Sequence, residues 1–120
     1  MSTESTASVS THVLDTSVGR PAAGVAVHLS TRTGPAGAWT ALGGSTTDAD
    51  GRCKDLPAPP AGTTHVRLDF RTEEYLLTRQ GGADGAFFPE VTVAFAVVGG
   101  EHFHVPLLLN PFGYSVYRGS

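Results

Sequence analysis

Apolar and polar residues alternate over short runs along most of this chain, and Gly and Pro punctuate the runs. In residues 25–31, Val25, Val27 and Leu29 fall on one side, while Ala26, His28 and Ser30 fall on the other. In residues 64–70, Val66, Leu68 and Phe70 likewise oppose His65, Arg67 and Asp69. A period of two is that of a strand, whose successive side chains point to opposite faces. The same pattern predicts strands over residues 9–14, 38–42 (with Trp39 at the rim), 52–54, 90–98, 103–109 and 114–117. Gly19-Arg20-Pro21, residues 33–38, Gly43-Gly44, Asp48-Ala49-Asp50-Gly51 and the Pro-rich residues 56–62 read as turns or loops. One helix is predicted over residues 72–79. Thr72 is its expected N-cap, Glu73 and Glu74 sit in the first turn, Arg79 in the last, and Gly81-Gly82 stop it. The expected fold is all-β: two packed antiparallel sheets, a sandwich of about seven or eight strands, with one short helix at an edge.

The last twenty residues are the most informative stretch. An apolar strand, the turn Asn110-Pro111-Phe112-Gly113 and a second, aromatic strand predict a hairpin that ties the chain end into a sheet. Phe103, Val105, Leu107 and Leu109 form its core face. His102, His104, Pro106 and Leu108 share the other face, which is too apolar for simple solvation and is expected to line a cleft or meet another subunit.

A chain of 120 residues holds one core. Residues 1–8 are expected to be a flexible segment before a single domain over residues 9–120. The formal net charge of -3 and the lack of a Lys/Arg cluster argue against nucleic acid or a membrane as partner. Cys53 stands alone, so no internal disulfide forms. The first ten residues have neither the basic start nor the apolar run of a secretion signal, and no apolar run approaches the roughly 18 residues of a membrane span. The expected location is the cytoplasm.

Several chemistries are weakly supported. Asp48-Ala49-Asp50-Gly51 resembles part of a calcium loop, but the third carboxylate and the distal Glu are missing, so a tight turn is the better account. His102, His104 and His12 could reach a zinc ion together, yet no carboxylate or Cys has the spacing of a structural site, and the expectation is no metal. Neither Ser115 nor Ser120 lies in a strand-to-helix elbow, and Cys53 has no supporting motif for a nucleophile. His102 alone reads as an exposed polar residue.

Three motifs carry a resemblance. His104-Val-Pro-Leu-Leu-Leu-Asn-Pro-Phe-Gly-Tyr-Ser-Val-Tyr-Arg-Gly-Ser120 resembles the terminal signature of the 5-hydroxyisourate hydrolases, the transthyretin-related enzymes of urate breakdown. Thr11-His12-Val13-Leu14-Asp15 with Gly19-Arg20-Pro21-Ala22 is similar to that family's opening strand and turn, and Thr47-Asp48-Ala49-Asp50-Gly51-Arg52 to its middle motif. The resemblance implies a transthyretin-like (prealbumin-like) sandwich, a homotetramer built as a dimer of dimers, and active sites at a subunit interface. It implies hydrolysis of a ring amide of 5-hydroxyisourate to 2-oxo-4-hydroxy-4-carboxy-5-ureidoimidazoline, without metal or cofactor. His12, Arg52, His104 and Ser120 would be catalytic, and His12, Arg52, Tyr117, Arg118, Gly119 and Ser120 would bind substrate. A neutral imidazole, of His12 or His104, suits the activation of water, and the Arg52 guanidinium suits a developing oxyanion. Ser120, with its carboxylate, would orient water, relay a proton or hydrogen-bond a histidine. The alternatives are a transthyretin-like carrier of a small hydrophobic ligand, without catalysis, and a non-catalytic adhesion sandwich.

Overall fold

In the computed structural model, which describes residues 5–79 and 85–120, the alternating runs do form strands. Among the described residues the order is β1 (Ser8–Asp15), β2 (Arg20–Pro21), β3 (Ala26–Arg32), β4 (Thr40–Thr46), β5 (Arg52–Cys53), β6 (His65–Arg71), α1 (Thr72–Thr78), β7 (Val91–Ala96), β8 (His102–Asn110) and β9 (Gly113–Val116). They build two sheets. One has the order β2-β1-β8-β9, with β5 also paired to β1; the other has the order β4-β3-β6-β7. The inward residues of each strand meet between the sheets: Val9 and Val13, Val27 and Leu29, Val66, Leu68 and Phe70, and Phe103, Val105, Leu107 and Leu109 are all buried. Burying these side chains, each worth about 1.5–3 kcal/mol, makes the sandwich and fixes its register, because a one-residue slip would expose a whole face.

The pairing is antiparallel throughout except at one place. β1 lies parallel to β8 over their full lengths, from Ser8 beside His102 to Asp15 beside Leu109. Parallel neighbours need a long crossover between them, and here the entire second sheet lies in that connection. β8 and β9 form the expected terminal hairpin, with Leu107 opposite Val116 and Asn110 opposite Gly113.

Four local expectations change. Gly43-Gly44 is not a loop: β4 runs through it, with Gly43 opposite Leu29 and Gly44 opposite His28, because the free edge of β3 supplies hydrogen bonds that outweigh the low strand propensity of glycine. Ser30 is buried rather than outward, since the register with β4 shifts between Leu29 and Ser30. Thr72 is not the cap of α1 but its first residue, buried, with its hydroxyl donating to the Phe88 carbonyl at 2.8 Å; Arg71 stands at the cap position and makes no side-chain cap bond. Arg79 is the C-cap, in extended conformation, and Gly81-Gly82 lie outside the described residues. Finally, Ser8 already belongs to β1, Ala7 is buried, and the Thr6 carbonyl accepts from the Gly100 N–H at 3.0 Å, so packing begins before the expected boundary at residue 8. Trp39 is half-buried, with the guanidinium of Arg32 4.6 Å and that of Arg67 5.1 Å from its ring centre. No helix among the described residues is long and apolar enough to cross a membrane.

Candidate active site

The outer face of the β1/β8 pair gathers the polar residues. Along β1 the residues opposite in phase to Val9, Thr11 and Val13 are Ser8, Ser10 and His12. The parallel register sets Ser8 beside His102, Ser10 beside His104 and His12 beside Pro106. Paired residues share a face, so each serine meets a histidine. The Ser8 hydroxyl lies 2.6 Å from His102 Nδ1, and the Ser10 hydroxyl lies 2.7 Å from His102 Nε2 and 2.8 Å from His104 Nδ1. Beneath them the buried Thr11 hydroxyl donates to the Val105 carbonyl at 2.6 Å and helps hold the two strands together.

Arg52 arrives from the other edge of β1, where β5 sets it directly opposite His12. The turn before it explains the placement. One Asp48 carboxylate oxygen accepts from the N–H groups of Asp50 at 2.9 Å and Arg52 at 3.0 Å. These bonds, that to Arg52 foremost, hold the Asp48 carboxyl below its ordinary pKa. Gly51 takes a positive φ of 76°, and its carbonyl accepts from the Val13 N–H at 2.7 Å. The Asp-Gly turn is therefore a device for docking Arg52 against β1.

Between these elements opens a cleft of about 470 Å³, lined by Ser10, Arg52, Lys54, Leu56, His102 and His104 among others. His104 is half-buried in it. Its pKa is lowered, first by burial, then by the positive charge of Arg52 and by His102 and His12. A neutral imidazole thus persists at lower pH than for a free side chain. Cys53 borders the cleft but is buried with the core, and burial raises its pKa, which favours the protonated thiol.

The chain end packs against His104. Gly119 bridges to His104, donating its N–H to the His104 carbonyl at 2.7 Å, and the exposed Ser120 follows it. Strand pairing brings His12 beside Arg52 and Gly119 beside His104, and of these four Arg52 and His104 line the cleft; Ser120 is the exposed residue that follows Gly119. Tyr117 and Arg118 do not join them. They border a second groove of about 250 Å³ with Phe95, Phe103 and Val116. The Arg118 guanidinium sits 4.5 Å over the Phe103 ring and 3.1 Å from the Glu101 carboxylate. Arg118 precedes Gly119 in an extended segment, and alternation turns its side chain to the opposite face. Ser8, Ser10 and the hydrogen bonds of the exposed His102 were not anticipated; the signal available was the shared phase of Ser8, Ser10 and His12.

A sandwich of this topology, with imidazoles and a guanidinium facing one cleft, defines a transthyretin-like domain. The profile of the HIUase/Transthyretin family matches residues 9–119, and the chain belongs to that family. It is 43% identical over 124 residues to the 5-hydroxyisourate hydrolase of Mus musculus, covering 100% of both chains. It is 46% identical over 128 residues to the uric acid degradation bifunctional protein TTL of Arabidopsis thaliana, a match that takes in 93% of this chain but only 37% of that longer protein. Among solved structures, the 5-hydroxyisourate hydrolase of Klebsiella pneumoniae superposes with a TM-score of 0.74 at 36% identity, over 93% of this chain and 98% of that one.

Proposed function

We propose that this protein hydrolyses 5-hydroxyisourate, opening one ring amide to give 2-oxo-4-hydroxy-4-carboxy-5-ureidoimidazoline. The observation that carries the proposal is the parallel β1/β8 pairing, which puts His12 and His104 on one face while β5 sets Arg52 against His12. In the reaction, His104 takes a proton from water as the oxygen adds to the amide carbonyl. The carbonyl oxygen becomes negative, and the guanidinium of Arg52 stabilises it. The carbon–nitrogen bond then breaks, the ring nitrogen receives the proton, and the former carbonyl carbon stays on the opened product as a carboxylic acid, which gives its remaining proton to solvent and becomes carboxylate. His12 holds the heterocycle opposite Arg52, and Gly119 with Ser120 bounds the pocket. General-base help of this kind is worth about 10²- to 10⁴-fold in rate.

Hydroxyl, imidazole and guanidinium groups in the cleft suit a small polar heterocycle. A carrier of a hydrophobic ligand has no use for them, so the carrier alternative is not favoured. The assembly we propose is a homotetramer, a dimer of dimers with the clefts at subunit interfaces; support comes from the half-exposed Leu108 beside Pro106 on the same outer face as His104.

The test is ultraviolet monitoring of freshly generated 5-hydroxyisourate, corrected for spontaneous decay. Folded protein should accelerate decay, and His12→Ala, Arg52→Ala and His104→Ala should each lose about 10²-fold or more. Decay at the uncatalysed rate with folded protein, or full turnover in all three variants, overturns the proposal.

A further inference from the structure

The hydrogen bonds of Ser10 have a consequence for His104. A hydroxyl has one proton to donate, and that of Ser10 lies within bonding distance of two imidazole nitrogens, His104 Nδ1 at 2.8 Å and His102 Nε2 at 2.7 Å. At least one of those nitrogens must itself carry a proton, so the tautomers of the two histidines are linked. The link continues outward, because His102 Nδ1 lies 2.6 Å from the hydroxyl of the exposed Ser8. Four side chains thus form one line from the cleft to the surface.

Such a line has two polarities. In the first, His104 Nδ1–H donates to Ser10, Ser10 donates to His102 Nε2, and His102 Nδ1–H donates to Ser8. His104 Nε2 is then a lone pair. In the second every proton sits one position along, and His104 Nε2 carries a hydrogen. Arg52 shares the cleft with His104 and acts on it with positive charge; with Nδ1 beside Ser10, Nε2 is the nitrogen left to meet that charge, which favours a lone pair there over an N–H.

We propose that Ser10 is a positioning residue that locks His104 in the Nδ1–H tautomer, leaving Nε2 as the base, with His102 and Ser8 completing the hydrogen-bonded line. The proposal rests on the hydrolase reading above for its catalytic consequence, but not for the tautomer itself. Once Nε2 has taken the proton of water, His104 is an imidazolium whose Nδ1 proton stays hydrogen-bonded to Ser10, and Nε2 then returns its proton to the leaving nitrogen. His104 ends as it began, neutral with Nδ1–H and a free Nε2, and the proton taken from water is the one delivered.

The experiment is ¹⁵N NMR of the histidine rings in the free protein, paired with steady-state kinetics, for wild type, Ser10→Ala and Ser10→Thr. In wild type His104 should show a protonated Nδ1 and an unprotonated Nε2. Ser10→Ala should shift it toward the Nε2–H form and lower kcat about 10-fold or more, with KM changed less than about 2-fold. Ser10→Thr keeps the hydroxyl and should restore both. An unchanged tautomer and kcat in Ser10→Ala, with circular dichroism showing the fold intact, overturns the proposal, as does wild-type His104 in the Nε2–H form. A tautomer shift in a protein that does not turn over 5-hydroxyisourate supports the positioning role and overturns only the substrate assignment.

Discussion

The peptide N–H of Gly119 donates to the His104 carbonyl at 2.7 Å, and a Cβ at position 119 would stand 2.7 Å from Cδ2 of the His104 ring and 3.3 Å from Pro106 Cγ. The tail is therefore packed against one edge of the imidazole while Ser10 holds Nδ1 on the other. A methyl group cannot enter without rotating the ring off Ser10 or lifting the tail. Gly119→Ala should lower kcat about 10-fold or more while changing stability by less than about 1 kcal/mol, since the tail lies at an edge. Kinetics and a denaturant midpoint check it; wild-type kcat would mean that the tail is free to move away.

The pH profile follows from the surroundings of His104. Burial foremost, then Arg52, His102 and His12, lower its pKa from the ordinary value of 6.5. The acid limb of kcat/KM should therefore fall below pH 6.5, and Arg52→Ala should move it up toward that value in addition to slowing turnover. Stability runs in the same sense. As pH falls, the unfolded chain takes up the proton on this histidine before the folded chain does. The contribution is full above about pH 6.5 and is lost as pH falls through the lower folded value. A limb at or above 6.5 in the wild type would contradict the electrostatic account.

Much of this was legible in the sequence because burial imposes a period of two. Val66, Leu68 and Phe70 or Phe103, Val105, Leu107 and Leu109 announce their faces unaided, and the motifs around His12, Arg52 and His104 single those residues out as candidates by likeness. The partner of β1 was not legible. Nothing local says that Ser10 will lie beside His104, more than ninety residues away, or that the two strands run parallel. Pairing of distant strands is decided by how whole sheets pack, so the Ser8–His102–Ser10–His104 line was invisible, although His102 is the exposed polar residue that the sequence suggests. The place of Arg118 within the chain was not legible either: a motif assigns a residue to a site, whereas the path of the tail decides which face its guanidinium reaches, here the groove beside Phe103.

Gly51 tests whether the turn is what delivers Arg52. Its φ is 76°, and an added Cβ would stand 2.4 Å from the Val13 carbonyl oxygen and 3.2 Å from Cδ2 of His12. The obstacle is backbone, which cannot swing aside. Gly51→Ala should cost roughly 1–3 kcal/mol through strain and should also pull β5 off β1, separating Arg52 from His12. Chemical denaturation should show the loss of stability. At a temperature where the variant is folded, kcat should still be depressed, and a variant destabilised but fully active would show that Arg52 reaches the cleft without the turn.

Asp15 sits on the inward face of β1 and ties the helix to the sheet. Its carboxylate is buried, accepts from the Tyr75 hydroxyl at 2.8 Å and from the N–H and hydroxyl of Ser17, and lies 3.3 Å from Arg79 Nε. Burial first and then Asp15 push the Tyr75 pKa up to about 12, so the phenol remains a donor across the working range. Removing one partner of a buried ion pair strands the other charge in low dielectric, so Asp15→Ala should destabilise by about 3–5 kcal/mol. Tyr75→Phe deletes only one hydrogen bond to a charged acceptor and should cost about 1.5–3 kcal/mol. Urea unfolding in low and high salt separates this arrangement from a surface pair: a buried pair should keep its effect in 1 M salt, where the screening length is about 3 Å only for charges that face solvent. Because the outward face of β1 carries Ser8, Ser10 and His12, the folded fraction of either variant should retain kcat. A loss of kcat without a loss of stability would place the Asp15 cluster in the reaction rather than in the scaffold.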